Sequence, residues 1–213
     1  GIASLRHDLP ALAAATTPNT ALLYVCNPNN PTGTVIDGPT LRKFCGEMAQ
    51  RTLVVVDEAY LDLVDEGATE SMADLARAGA NLIVLRTFSK IHGLAGLRVG
   101  YGIAPPAVVQ RLKRYQMATP NVLGIAAATA SLGDAEFLTR TRASLIADRR
   151  RMTAACDELG LRYAPPQGNF VFFKPGMPLA AFSAKMKEQR IEVGRPFEPL
   201  LEWSSDSVGT TEE

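Results

Sequence analysis

A lysine, two hydroxyl groups and an arginine follow an apolar run near the middle of the chain. The run, Leu-Ile-Val-Leu at 82–85, is long enough for a buried strand, and Thr87, Ser89 and Lys90 come soon after it. Arg98 stands eight residues beyond the lysine. Hydroxyls and a guanidinium can together hold a dianionic phosphate. A lysine beside such a clamp suggests a Schiff base to a phosphorylated aldehyde cofactor.

Lysines after strands are more often surface residues, so this interpretation depends on two further stretches upstream. The first is a rigid loop, Asn-Pro-Asn-Asn-Pro-Thr-Gly at 27–33, which follows an apolar run at 20–26. Proline restricts its own backbone and that of the residue before it, so the doubled Asn-Pro step forms neither helix nor central strand. Asn-Pro usually marks an ordinary turn, but this loop can also hold an asparagine amide toward a ligand.

The second stretch is Asp57-Glu58-Ala59-Tyr60, which follows the apolar run Leu-Val-Val-Val at 53–56. An acid at the carboxyl end of a parallel strand points into the crevice where open α/β sheets bind ligands. Tyr60 lies three residues further on and can reach the same space. We therefore expect Asp57, Tyr60 and Lys90 to share one site.

Alternating strand and helix patterns predict an α/β fold with a mostly parallel sheet and helical crossovers. Turn signals bound the strands, and helical spacing of apolar residues marks the segments between them. The predicted strands are 20–26, 53–56, 82–85 and 99–104, and the predicted helices are 37–50, 71–79, 107–117 and 122–132. The last helix is rich in alanine, and we expect it to be buried.

The strand–helix–strand rhythm stops after residue 135. A long helix is predicted at 136–159 and a shorter one at 179–190, with short strands at 169–173, 191–194 and 207–209. This pattern indicates a second, smaller α+β domain. We therefore predict a large domain over residues 1–134 and a small C-terminal domain over residues 135–213.

Composition places the protein among ordinary globular chains. Its 213 residues are 46% hydrophobic and 21% charged, with a net charge of zero. Balanced charge argues against a nucleic-acid or membrane-surface partner, and no run approaches the roughly 18 apolar residues of a membrane span. The three cysteines, at 26, 45 and 156, lack metal or redox spacing. We expect no metal site, buried thiols and a reducing, cytoplasmic location.

Charged side chains outside the motifs are expected to be solvated. The basic cluster Arg149-Arg150-Arg151 lies in the long predicted helix, and the acids Asp62, Asp65, Glu66 and Glu70 follow Tyr60. The chain begins with Gly1, and residues 208–213 have a pattern typical of a strand that runs into a helix. We therefore expect the sequence to be part of a longer chain.

Three segments, 27–33, 57–60 and 87–98, have the order and spacing of a known family. Together they resemble the fold-type I pyridoxal-phosphate aminotransferases, in particular the histidinol-phosphate aminotransferase branch. The resemblance covers nearly the whole chain, with residues 1–134 as part of the cofactor-binding large domain and 135–213 as a truncated small domain. It implies that an amino group moves from a donor, such as histidinol phosphate or an aromatic amino acid, to a 2-oxo acid.

The resemblance also implies a role for each site residue. Lys90 would bind the cofactor aldehyde and then carry a proton between the substrate Cα and cofactor C4′. Asp57 would pair with the pyridine nitrogen and keep it protonated. Asn30 and Tyr60 would hydrogen-bond the 3′-oxygen of pyridoxal 5′-phosphate. The phosphate-anchoring residues would be Thr87, Ser89 and Arg98. In the family neighbouring subunits complete these sites, so a homodimer is implied.

One segment departs from the family pattern. The family has a motif like Trp-x-Arg-Val-Ser-Val-Gly, in which the arginine grips the substrate carboxylate, and here Ser205 and Asp206 follow Trp203 instead. This predicts impaired use of ordinary amino acids, or an amine substrate without an α-carboxylate. Lys174 and Arg195 remain as candidate substrate-binding cations, along with Asn30, although each is equally well explained as a solvated cation.

Two alternatives stay open at this point. A decarboxylase or lyase on the same fold would share Lys90, Asp57 and Arg98, because the cofactor supplies the chemistry. A non-catalytic relic would explain Ser205 and Asp206, although the retained Asn30, Asp57 and Lys90 argue against it.

Overall fold

In a computed structural model of the protein, the structure describes residues 4–209. These residues form seven α-helices and six strands. The helices are α1 Leu9–Ala15, α2 Gly38–Met48, α3 Ala73–Arg77, α4 Pro106–Lys113, α5 Val122–Leu132, α6 Ala135–Glu158 and α7 Leu179–Glu188. The strands are β1 Leu22–Cys26, β2 Leu53–Asp57, β3 Leu82–Thr87, β4 Gly100–Ile103, β5 Phe170–Phe173 and β6 Ser204–Ser207.

A four-stranded sheet in the order β1-β2-β3-β4 carries the sequence motifs. Strands β1, β2 and β3 are parallel, and β4 is antiparallel to β3. In this register Cys26 pairs with Asp57, and Asp57 pairs with Leu85. The α/β class with a mostly parallel sheet is therefore confirmed. The parallel pairing brings the carboxyl ends of β2 and β3, with the residues that follow them, to one edge of the sheet.

The main core forms because one face of this sheet is covered by α2 and α3. Alternate strand residues such as Val25, Val56 and Val84 pack against apolar residues of α2 and α3. Helix α2 begins at the N-cap Asp37, whose carboxylate accepts the Thr40 N–H at 2.9 Å. Its apolar residues Leu41, Phe44, Cys45 and Met48 then fall at helical spacing on one buried face.

A second, two-stranded sheet lies in the C-terminal part. Strands β5 and β6 are antiparallel, and all four residues of β5 are buried. Phe172 stacks on Trp203, and Val171 and Phe173 pack with Cys156 of α6. This antiparallel sheet with its helices has the character of the predicted small α+β domain. The division at residue 135 itself stays a prediction.

Three predictions about the elements are wrong. Helix α5 forms where expected, but Val122 is 79% exposed and Leu123 is 75% exposed, so the helix is not buried as a whole. Only Gly124 and Ala128 of α5 are buried. Residues 191–194 run as irregular backbone rather than a strand, and the C-terminal strand occupies 204–207 rather than 207–209. The end of the predicted strand-to-helix pattern, 210–213, lies outside the described residues.

The basic cluster of α6 is not uniformly solvated, because Arg149 is only 3% exposed. Its guanidinium donates to the Leu63 carbonyl at 3.0 Å and to the Gly168 carbonyl at 3.4 Å. It also forms an ion pair with Asp65 at 2.9 Å. The neighbouring Arg150 is exposed, as expected. Arg149 therefore ties α6 to the segment that follows Tyr60.

The acidic side chains after Tyr60 also form ion pairs and hydrogen bonds that were not predicted. Asp65 accepts a hydrogen bond from the Gln167 side chain at 2.9 Å, in addition to its pairing with α6. Asp62 pairs with Arg86 at 3.0 Å, and Glu70 pairs with Arg42 at 2.8 Å. Helical and turn spacing cannot reveal these contacts, because each partner lies more than twenty residues away in sequence.

Within residues 4–209, no single helix is long and apolar enough to cross a membrane. Helices α5 and α6 pass a length and composition test only when they are taken together, and they are bent by 84° relative to each other.

Candidate active site

A cavity of about 610 Å³ lies at the edge of the first sheet where β2 and β3 end. Five of the predicted site residues line it, namely Asp57, Thr87, Ser89, Lys90 and Arg98. They converge because β2 and β3 are parallel neighbours, so both strands deliver their following residues to the same edge. The cavity therefore brings together an amine, a carboxylate, two hydroxyls and a guanidinium.

Asp57 is held by two hydrogen-bond donors. The Ala59 N–H donates to Oδ1 at 3.0 Å, and the Tyr24 hydroxyl donates to Oδ2. Burial, followed by the hydrogen bond to Asp57, raises the pKa of Tyr24 above its ordinary value, so the phenol stays protonated and donates. These contacts fix the direction of the carboxylate at the cavity wall.

Tyr24 was not predicted as a site residue. It lies on β1, two residues before Cys26, and Cys26 is the register partner of Asp57. Because side chains alternate along a strand, Tyr24 and Cys26 lie on the same face as Asp57. An aromatic residue two positions before the end of the first strand was the available signal, but only the sheet register shows its partner.

Tyr60 connects the Asn-Pro loop to Lys90. The Asn30 Nδ2 group donates to the Tyr60 hydroxyl at 2.9 Å, and the Lys90 Nζ atom lies 4.8 Å from the centre of the Tyr60 ring. The ring itself is buried and packs edge-on against Phe170, with centroids 5.2 Å apart. A cation near an aromatic face is attracted by the ring quadrupole. Asn30, Tyr60 and Lys90 thus form one contiguous group.

Thr87, Ser89 and Arg98 lie at the other side of the cavity. The Ser89 N–H donates to the Thr87 hydroxyl at 3.0 Å, which orders the turn after β3. Arg98 has a left-handed backbone, with φ 55° and ψ 49°, and its Nη1 group donates to the Ala95 carbonyl at 2.9 Å. This backbone conformation costs an arginine about 1 kcal/mol. The surrounding loop holds it in place and keeps the guanidinium at the cavity.

Lys174 and Arg195 are placed elsewhere. The Lys174 Nζ atom lies 2.6 Å from Glu202, and the side chain lines a separate cavity of about 780 Å³. Arg195 lies over the Phe197 ring, 4.6 Å from its centre. The structure therefore does not bring either cation to the cavity that holds Lys90.

Ser205 and Asp206 lie on β6. Ser205 pairs with Phe172 across the second sheet. The Asp206 carboxylate accepts a hydrogen bond from the Gly194 N–H at 3.1 Å and from the Ser204 hydroxyl at 2.7 Å. The acid that replaces an apolar residue of the family motif is thus bound by neighbouring groups of the C-terminal part.

Comparison with known proteins identifies the family. A model of the family described as "Aminotransferase class I and II" matches residues 3–206. An aromatic amino acid aminotransferase of Mycobacteroides abscessus is 46% identical over 192 residues, which are 90% of this chain and 55% of that protein. A histidinol-phosphate aminotransferase of Moorella thermoacetica is 44% identical over 171 residues, or 79% of this chain and 44% of that protein.

A solved structure extends the likeness to the fold. The crystal structure of histidinol-phosphate aminotransferase from Sinorhizobium meliloti, in complex with pyridoxal-5′-phosphate, superimposes with a TM-score of 0.86 at 28% identity. The match covers 97% of this chain and 58% of that one. The chain thus spans about half the length of the curated relatives it matches. These matches confirm the resemblance predicted from the motifs: the chain belongs to the aminotransferase class I and II family.

Proposed function

We propose that the protein is a pyridoxal-phosphate-dependent aminotransferase that moves an amino group from a donor, such as histidinol phosphate or an aromatic amino acid, to a 2-oxo acid. Family membership and the names of the similar proteins support this proposal. The observation that carries it is the cavity in which Lys90, Asp57 and the anion-binding trio of Thr87, Ser89 and Arg98 meet.

The residues of this cavity fit pyridoxal phosphate. The cofactor needs an amine for its aldehyde, an anion for its ring nitrogen and donors for its phosphate, and the cavity has one of each kind. The volume of about 610 Å³ lies within the usual range of small-molecule sites. When bound, pyridoxal phosphate supplies an aldehyde that amines attack and a ring that withdraws electrons.

Asp57 would hold a proton on the ring nitrogen, since an ionised carboxylate favours a cation beside it. Tyr24 and the Ala59 N–H fix the carboxylate in direction, so little reorganisation is needed when the ring binds. Tyr60, held by Asn30, would donate a hydrogen bond to the ring hydroxyl oxygen.

Thr87, Ser89 and Arg98 would bind the phosphate. Charge-assisted hydrogen bonds to a phosphate are about twice as strong as neutral ones, so this trio would anchor the cofactor while the reacting end changes. Lys90 would hold the cofactor through its aldehyde, and its Nζ group would carry a proton between the substrate Cα and cofactor C4′.

The remaining parts of the proposal concern the intact protein. We propose a homodimer in the cytoplasm, with small-molecule amino donors and 2-oxo acids as its partners and no nucleic-acid or membrane partner. Lys174 and Arg195 are left out of the substrate site, because they line or contact other parts of the small domain.

Visible absorbance of the intact protein with added pyridoxal phosphate tests the proposal. We expect a protein-bound absorption band that shifts when an amino donor is added and is lost in Lys90→Ala. Lys174→Ala is the matched control, because it removes a lysine that lines a different cavity, and it should keep the band.

Product analysis distinguishes the related reactions. An aminotransferase yields a 2-oxo acid and pyridoxamine phosphate, whereas a decarboxylase releases carbon dioxide. A band that persists in Lys90→Ala would rule out the assigned role of this lysine. The absence of any bound band in the wild type would favour a non-catalytic protein.

A further inference from the structure

Arg86 lines the cavity and forms a bridge between two carboxylates. Its Nε group donates to the Glu58 carboxylate at 2.9 Å, and its Nη1 group donates to both Asp62 oxygens at 3.0 Å. The Glu58 side chain is 1% exposed, whereas the Asp62 side chain is 45% exposed. One guanidinium thus joins a buried carboxylate to a surface carboxylate.

Each member of this bridge is next to a proposed cofactor-binding residue in the chain. Glu58 follows Asp57 directly, and Arg86 precedes Thr87 directly. Asp62 belongs to the short 3₁₀ turn Leu61–Leu63, which begins immediately after Tyr60. The bridge therefore connects three segments whose relative positions set the geometry of the cavity.

At the buried end of the bridge, both oxygens of the Glu58 carboxylate accept hydrogen bonds. Besides Arg86, Glu58 accepts the Met72 N–H at 2.7 Å and the Ser71 hydroxyl at 2.8 Å, and its own N–H donates to the Leu85 carbonyl at 2.9 Å. Burial raises the pKa of Glu58, and these donors offset part of that effect. Burial lowers the pKa of Arg86, but the two carboxylates raise it by more, so the guanidinium stays charged.

We propose that Arg86 is a positioning residue that fixes Asp57, Tyr60 and Thr87 relative to one another for cofactor binding. This inference rests on the proposed function. A site is held in productive geometry only if the residues behind it lock its side chains. Without the guanidinium, Asp62 in the turn after Tyr60 would lose its hydrogen bonds to β3. Of the hydrogen-bond donors to Glu58 described above, Arg86 is the one that carries a positive charge, and Glu58 would lose it.

The test compares Arg86→Met with Arg42→Met in the intact protein. Arg42 also binds two carboxylates, Glu70 at 2.8 Å and Asp74 at 2.6 Å, but it lies on α2 and does not line the cavity. Loss of a partner that orients a metal ligand typically weakens metal binding by roughly 10–100-fold, and we expect the lower end of that range for a residue that orients cofactor-binding groups. We expect Arg86→Met to weaken pyridoxal-phosphate binding by at least about tenfold, and Arg42→Met by less than about twofold.

Two further measurements separate positioning from general stability. Hydrogen exchange without cofactor should be faster over residues 57–64 in Arg86→Met and unchanged there in Arg42→Met. The pH midpoint of the bound cofactor's visible band should shift in Arg86→Met but not in Arg42→Met, which removes an arginine that also pairs with two carboxylates. Arg86→Lys keeps the charge and should restore binding in part.

The inference is overturned if Arg86→Met has the wild-type affinity for pyridoxal phosphate, the wild-type hydrogen-exchange rate over residues 57–64 and the wild-type pH midpoint. The proposed function would stay intact. If the wild type itself shows no Lys90-dependent binding, the proposed function fails and this inference fails with it. If Arg86→Met does not fold, Asp62→Asn removes only the exposed end of the bridge. It should weaken binding about threefold and speed exchange at 60–64, and unchanged values would again overturn the inference.

Discussion

Replacing Arg149 with methionine should destabilise the protein strongly, although the residue touches no part of the cavity. Arg149 joins α6 to the carbonyls of Leu63 and Gly168 and to the carboxylate of Asp65. Methionine is apolar and reaches only as far as the Nε position of arginine, so it keeps the packing of the aliphatic stem but donates no hydrogen bond. The variant therefore measures the loss of the guanidinium and its polar contacts.

The loss in the free energy of unfolding follows from the two carbonyls that would be left without a hydrogen-bond donor. A buried acceptor without a donor costs about 1–3 kcal/mol, and two carbonyls lose a donor here. The Asp65 side chain is 41% exposed, so water replaces much of its lost partner. We expect a loss of about 3 kcal/mol in the free energy of unfolding. For a chain of this size that lowers Tm by roughly 6–12 °C.

Urea denaturation provides the assay, with tryptophan fluorescence and circular dichroism as probes. The chain has one tryptophan, Trp203, and its ring is buried against Phe172, so fluorescence reports on the second sheet. Arg150→Met is the matched control, since Arg150 lies 3.6 Å from the same Asp65 oxygen but is 73% exposed. It should cost less than about 0.5 kcal/mol. Equal losses in the two variants would refute the reasoning.

Three more predictions concern His92, Cys26 and the pair Ser205 and Asp206. Burial lowers the pKa of His92 below 6.5, so the stability that its neutral form contributes is present above that pH and is lost as the pH falls through the folded pKa. His92→Gln should therefore flatten the drop in Tm between about pH 7 and 5. An unchanged drop in Tm would contradict this. Burial and then the Asp57 charge raise the pKa of Cys26 to about 11, so Asp57→Asn should speed alkylation of Cys26 at alkaline pH, as followed by mass spectrometry. Ser205→Arg with Asp206→Val should raise transamination of glutamate or aromatic amino acids roughly a hundredfold, and no gain would count against the expected arginine role.

Local sequence patterns were sufficient to predict the strands and helices that position the residues of the cavity. Strands β1, β2 and β3 are apolar runs between turn signals, and the helices between them have one apolar face. Such a rhythm requires parallel strands, and parallel strands deliver their following residues to one edge. The convergence of Asp57 and Lys90 on one edge of the sheet could therefore be predicted from the order and spacing of the strands.

Sequence patterns failed to predict the exposure of side chains whose packing depends on residues distant in sequence. Helix α5 has the composition of a buried helix, yet most of its apolar side chains are exposed. Arg149 lies among arginines with the spacing of a solvated face, but Asp65 and two carbonyls from other segments bind it. Exposure depends on what packs against a face, and periodicity within one helix contains no information about that.

The sequence by itself determined the family motifs, the sheet class and the edge at which the reactive side chains meet, because these depend on residue type, spacing and chain order. Only the tertiary structure decided that Tyr24 holds Asp57, that Arg86 joins Glu58 to Asp62, and that Lys174 lies at a different cavity. The hydrogen bonds of Tyr24 and Arg86 each join residues at least twenty-four positions apart. Their distances are set by strand register and by packing between elements, and neither is encoded in any local stretch of the chain.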